Sequence, residues 1–573
     1  MVMKSPIKPV RSPAIRRLRI YAIDPLIAAF ENQVVTVEIP WEDLRPGPVS
    51  EYIEVIDYDP CADKYYSPVN LEDPNLLAQD GHQPSESDPR FHQQMAYAVV
   101  MATHARFERA LGRNVRMHGK RGRRIKLRIY PHGTREPNAF YSGGMGALIF
   151  GYFRASKTAY GRNLPGGTIF TCLSHDVVAH ETTHGILHGL RRRSLEPSGP
   201  DVYAFHEAFA DIVAILQRFS LPGFLEQAIQ RTGAKLDTPD PLFDLGRQFG
   251  EAIGRRGALR SAIGKDPDPG ALSGIYEPHA RGAILVAAVF DALVTIYKRR
   301  TGDLLRLAGG GTAALPRGDL APDLVGRLAS EARRAAKHFL NICIRAIDYC
   351  PPLDIQFGDY LRAVITADRE IVPNDPLNYR TAIIDAFRKR GIYPENVFSL
   401  AEDSLILQPP RGKLDTAGFK LDAVRFDRAS RPDTKERKKE WNQYARLYTA
   451  LFKKPRNIRA FGLDRDRPVQ LASVQPLQRI SPDGRIINEL VVQALQQGDG
   501  IFARKEPPYH RGGCTLIVNQ SGKVRYCAVK ELKSAEREER QRSFLRDLES
   551  AGLLAGMGSE YREPDFRMIH RGW

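Results

Sequence analysis

The strongest constraint on this 573-residue chain is one short run, Asp176-Val177-Val178-Ala179-His180-Glu181-Thr182-Thr183-His184. Residues 177–190 are mostly apolar and free of proline, which predicts a helix with Val178, Ile186 and Leu187 turned to a core. Side chains four apart share a helix face, separated by about 6 Å along the axis. His180 and His184 have that spacing, so both imidazoles reach one metal ion. Glu181 follows the first histidine closely enough to act on a water held by that ion.

This is the H-E-x-x-H pattern of zinc hydrolases, and a catalytic zinc site needs three protein ligands and an open position. The run His206-Glu207-Ala208-Phe209-Ala210-Asp211 is again helical, with Glu207 and Asp211 four apart on one face. Glu207 is the candidate third ligand. Asp211 is placed to accept a hydrogen bond from a ligand histidine and fix its tautomer. His188 competes for the third position, but it lies eight residues past His180 on the same helix. A rise of about 12 Å is too long for one ion, so His188 is read as a partly buried polar residue.

With these residues in view, the chain resembles the thermolysin-like (gluzincin) family of zinc metallopeptidases. Thermolysin itself holds its zinc with two histidines and a glutamate, so that ligand set comes with the resemblance. Asn138-Ala139-Phe140-Tyr141 is similar to the family's substrate-binding edge strand, Ala258-Leu259-Arg260-Ser261 to its peptide-contacting segment, and Pro278-His279 to the segment with its transition-state histidine. Phe357-Gly358-Asp359-Tyr360-Leu361 and Ala386-Phe387 resemble its C-terminal helices, so the likeness covers roughly residues 20–392. It implies a catalytic role for His279, a side-chain contact to substrate from Asn138, a backbone contact from Ala139, and a hold on a substrate carbonyl by Arg260. On the residues alone, Arg260 is equally a surface arginine, and the glycine-rich stretch 138–152 is a peptide-binding strand or a plain hairpin.

Two departures from the family stand out. Its histidine has an aspartate partner about five residues upstream, where this chain has Gly274; Glu277 or Asp268 is the available substitute. Asp176 is expected to cap the metal helix, and in the family it also lines a calcium site. The acidic cluster that completes that site is missing here after Asp211, so no calcium is expected there.

Net charge is +17, which favours acidic partners or simply a basic surface, and no nucleic-acid motif accompanies it. None of the six cysteines forms a C-x-x-C pair; Cys514 and Cys527 flank a hairpin turn and are read as reduced thiols. Residues 1–19 lack an apolar signal core, and the apolar stretch 282–297 is read as too short to span a bilayer. A cytoplasmic location is therefore expected, with export by a signal-independent route as the alternative, whereas the family is typically exported with a long propeptide.

The expected fold is α+β and thermolysin-like. A flexible arm (1–19) precedes a β-rich N-terminal catalytic lobe (20–220), a mainly helical C-terminal lobe (221–395) and a basic α+β module of unknown role (396–573). Residues 224–261 are expected to be mostly helical. The expected function is a zinc-dependent endopeptidase with Glu181 as general base and a peptide or protein substrate. Tyr203 and His279 are candidates to stabilise the oxyanion. The alternative is a non-proteolytic zinc-binding scaffold whose function lies in the basic module. A third, weaker option is an H-E-x-x-H protein of another clan.

Overall fold

Alternating apolar residues start the fold. In the computed structural model, β1 (Ile15–Tyr21) and β2 (Val34–Pro40) pair antiparallel and bury Leu18, Ile20, Val35 and Ile39. Among the described residues strand structure thus begins at Ile15, inside the segment expected to be an arm, and Arg16 is buried beside Glu72. The structure describes residues 13–26, 34–116, 125–158, 163–191, 193, 195–255, 258–263, 266–312, 318–410, 414, 424, 426, 434–500, 509–550 and 566–570. The first part of the expected arm and residues 411–412 of the expected linker lie outside them.

The architecture is mixed α+β. A five-stranded sheet joins β3 (Ile53–Val55), β4 (Leu127–Thr134), β5 (Ala139–Ser142), β6 (Ala147–Arg154) and β7 (Thr168–Phe170). β3, β4 and β6 run parallel; β5 pairs antiparallel with β6 and ends that path of the sheet. Behind it lies α1 (Pro89–Leu111), opened by the Asp88 side chain and closed by Gly112 at φ 72°, a left-handed stop that glycine adopts without a Cβ clash.

Next come α2 (His175–Leu190) and α3 (Pro200–Arg218), packed on each other, with α2 also against α1 and β5. The helical lobe adds α4 (Pro278–Ala308), α5 (Pro322–Ala346), α6 (Phe357–Ile371) and α7 (Tyr379–Lys389). α4 is 31 residues, longer than the stretch judged too short for a membrane. By length and composition it could cross one, but 67% of its most apolar window is buried inside the protein, where it packs against α3, α5 and α7.

Residues 224–261 depart from the helical expectation: among the described residues of that range only Phe224–Thr232 and Arg247–Ala252 are α-helical. Gly233 at φ 57° ends the first helix and Gly246 at φ 61° precedes the second, and the two-residue strand Arg260–Ser261 pairs with Asp244–Leu245.

In the last third, β8 (Gln470–Ile480), β9 (Ile486–Gly500), β10 (Tyr509–Asn519) and β11 (Val524–Lys530) form an antiparallel meander. One face, with Leu477, Val491, Ile517 and Ala528, joins the main core; the other, with Leu490, Val492, Leu516 and Val518, packs under α8 (Thr434–Phe452). Cys514 stands opposite Val529 and Cys527 opposite Leu516, so these two thiols are diagonal rather than facing, and all six cysteines are free.

Part of the module's positive charge docks it on the rest of the protein. Arg525 pairs with Glu370, Lys530 with Asp359, Arg537 with Asp354 and Arg511 with Glu196, each at 2.7–2.8 Å.

Candidate metal centre

The helical period of α2 and α3 builds the site. His180, His184 and Glu207 are all buried, with the two Nε2 atoms 2.9 Å apart. Glu207 Oε2 lies 3.3 Å from His180 Nε2, and Oε1 lies 3.5 Å from His184 Nε2. One turn further along α3, Asp211 Oδ1 is 2.8 Å from His180 Nδ1, so the imidazole donates there and turns its Nε2 lone pair to the centre. His188 instead hydrogen-bonds the Tyr141 hydroxyl at 3.0 Å and takes no part in the cluster.

A close helix crossing brings in the next residue. A Cβ at Gly282 would come within 2.8 Å of the Ala204 carbonyl oxygen, so glycine lets α4 approach α3 closely. His279, one turn before it, then stands with Nε2 3.1 Å from Glu207 Oε2. Glu277 is its partner, 2.8 Å from His279 Nδ1, and the same carboxylate caps α4 by accepting from the His279 and Ala280 amides. Beside this group lies a cavity of about 640 Å³ whose wall includes Leu259, Arg260, His279 and Ala283.

Arg260 stands differently from the substrate-carbonyl role. Its Nε and Nη2 grip Asp211 bidentately at 2.8 and 2.9 Å, so its fork orients the aspartate behind His180. The expected cap also differs. Ser174 is the N-cap of α2, while Asp176 is fully buried and bonds across to Arg218 and to the Gly246 amide, because a buried carboxylate needs a cationic partner more than its own helix end does. Tyr203 packs against Phe544, 6.0 Å between ring centroids, rather than joining the cluster.

The electrostatics follow from burial. Desolvation pushes the Glu181 carboxyl up to about 8, against the lowering effect of His180. Burial also opposes ionisation of Glu207, yet His279, His570 and His184 hold it well below the usual carboxylate range. For His180, burial is outweighed by Asp211 and Glu207, which raise it to about 9. A compact buried group of imidazoles around one carboxylate is an arrangement that can hold a metal cation in place of protons.

The sequence reading missed one participant. Residues 566–570 enter the site, and His570, fully buried, offers an atom within 4.8 Å of those of His180, His184 and Glu207. Asn138 Nδ2 donates to the Arg567 carbonyl at 3.2 Å, and the Ala139 carbonyl accepts from His570 Nδ1 at 2.8 Å. The two positions read as substrate contacts are therefore in contact with the chain itself. No local pattern marks His570, which is 363 residues from Glu207 in sequence.

A second buried group, His92, His132 and Cys172, also has metal-ligand chemistry. Its histidines are already linked to each other at 2.8 Å, and His132 to Asp57 at 2.6 Å.

No family model matches the chain, and no curated protein matches its sequence significantly.

Proposed function

We propose that the chain is a zinc-dependent metalloendopeptidase of thermolysin-like architecture. The observation that carries this reading is the convergence of His180, His184 and Glu207 from two crossing helices, with Glu181 on the same helix as the two histidines. Zinc bonds to nitrogen and oxygen are about 2.0–2.2 Å, so a tetrahedral site has ligand–ligand edges of roughly 3.3 Å. The edges here are 2.9, 3.3 and 3.5 Å, so the residues fit the ion.

Zinc bound there would supply Lewis acidity, polarising a peptide carbonyl and easing ionisation of water. The remaining work falls to the chain. Glu181 takes the proton from the attacking water and passes it to the leaving nitrogen. His279, held by Glu277, donates from Nε2 to the developing oxyanion. β5 offers its edge to an extended peptide, with Asn138 as a side-chain contact.

Two results are expected. Purified protein holds about one zinc per chain, and hydrolysis of a quenched peptide, by the whole chain or by a chain ending at residue 565, stops on chelation and returns with zinc. Bound zinc with no hydrolysis in either form removes the reading. Asp211→Asn is expected to weaken zinc binding about 10- to 100-fold, as measured by competition with a chromophoric chelator.

A second reading, a non-proteolytic zinc scaffold, is favoured by one observation. With His570 the centre offers four side chains that could hold an ion, the number of ligands found in structural zinc sites.

A further inference from the structure

Both readings meet in residues 566–570. We infer that His570 is the fourth protein ligand of the metal, and that residues 566–570 occupy the peptide-binding groove, so that the chain folds into a latent form. The second half of this inference rests on the peptidase reading.

The tautomer of His570 is set by the chain. Nδ1 donates to the Ala139 carbonyl at 2.8 Å, leaving the lone pair on Nε2. That atom is 3.3 Å from Glu207 Oε1, the same edge length that His180 makes with Glu207. A ligand histidine commonly shows this arrangement, with one nitrogen held by a carbonyl and the other on the metal. Its ring sits among His180, His184 and His279, with centroids 5.7, 5.6 and 5.6 Å away. Nδ1 is also 3.4 Å from Glu181 Oε1, so the imidazole lies beside the general base, where the attacking water is needed.

The neighbouring residues form a single α-helical turn, Phe566–Ile569, and engage the groups a peptide substrate would need. Asn138 holds the Arg567 carbonyl, Arg567 Nη2 pairs with Glu136 at 2.6 Å, and Phe566 lies on the His184 ring at 4.3 Å. Phe566 is as deeply buried as the core. A segment of the same chain competes with substrate at a high effective concentration. Substrate and segment cannot share Asn138 and the Ala139 carbonyl, so one excludes the other.

Cobalt(II) in place of zinc reports the coordination through its visible absorption. In the whole chain the cobalt spectrum is expected to be insensitive to an added peptide hydroxamate. His570→Ala is expected to alter the spectrum, admit the hydroxamate, and raise turnover of a quenched peptide by roughly tenfold or more. Arg567→Glu keeps all four ligand residues but sets like charges together at Glu136, which unseats the segment and His570 with it. It is expected to move both readouts the same way, and it serves as the test should His570→Ala fold poorly. A changed cobalt spectrum with no hydrolysis in any form keeps the fourth ligand and removes the peptidase. Unchanged spectra in both variants overturn the inference, and equal turnover in wild type and variants then leaves the peptidase reading intact.

Discussion

Glu181→Gln, made in the His570→Ala background so that the site is open, is expected to retain zinc and to lose peptide turnover by about 10²- to 10⁴-fold. Glutamine keeps the size of the side chain and removes its basicity. Glu181 is fully buried, and its carboxyl faces the His570 imidazole from outside the metal-binding set of His180, His184 and Glu207. The loss therefore belongs in kcat/KM, about 3–5 kcal/mol of barrier, with zinc stoichiometry and melting temperature close to those of the parent. Turnover near the parental level would remove Glu181 as the base. Loss of zinc together with activity would mean that the carboxylate holds the metal rather than the proton.

That this centre could be read in the sequence follows from helix geometry. Spacings of four put His180 with His184 and Glu207 with Asp211 on single faces, and the structure then brings those faces together at hydrogen-bond distances. The mixed α+β character was equally legible, because alternation in Val34–Pro40 and apolar periodicity in Pro89–Leu111 are local signals. The likeness in fold to the thermolysin family stays part of the proposal.

What was not legible depended on distant partners or on burial. Arg260 reads equally as a substrate contact or a surface arginine until the strand pair with Leu245 turns it onto Asp211. Asp176 reads as a cap until Arg218, 42 residues on, appears beside it. Glycines at positive φ cut residues 224–261 into short pieces that the residue composition did not reveal. β8 and β9 went unread because the sheet is covered on both faces and holds buried polar groups such as Glu489, Gln493 and Gln496, which blur the two-residue alternation. His570 had no local signal at all, since its role exists only through the fold.

The module that delivers this segment is anchored by a buried charge cluster, and the second large effect is expected there. Asp348, the middle residue of the 3-10 turn Ile347–Tyr349 that follows α5, is 2% exposed and binds both arms of Arg113 at 2.7 Å. Arg479 of β8 lies 3.4 Å from the same carboxylate. One aspartate thus ties the residue just past α1, the helical lobe and the module sheet. Asp348→Ala would strip the buried Arg113 of its bidentate partner and leave Arg479 with Glu489 at 3.6 Å, and a loss of about 3–5 kcal/mol in urea unfolding is expected, because breaking a buried pair strands its partner. The sign of the pH dependence is fixed. Burial raises the Asp348 carboxyl, but Arg113 and Arg479 more than offset this and hold it below its ordinary value of 3.8. A carboxyl with a depressed folded pKa stabilises fully above its unfolded value and loses that contribution as pH falls through the folded one. The stability gap between wild type and Asp348→Ala should therefore be constant near neutrality and narrow only below pH 3.8. A gap that closes on raising the pH from neutrality, or that is absent at pH 7, would show that the Asp348 cluster does not anchor the module.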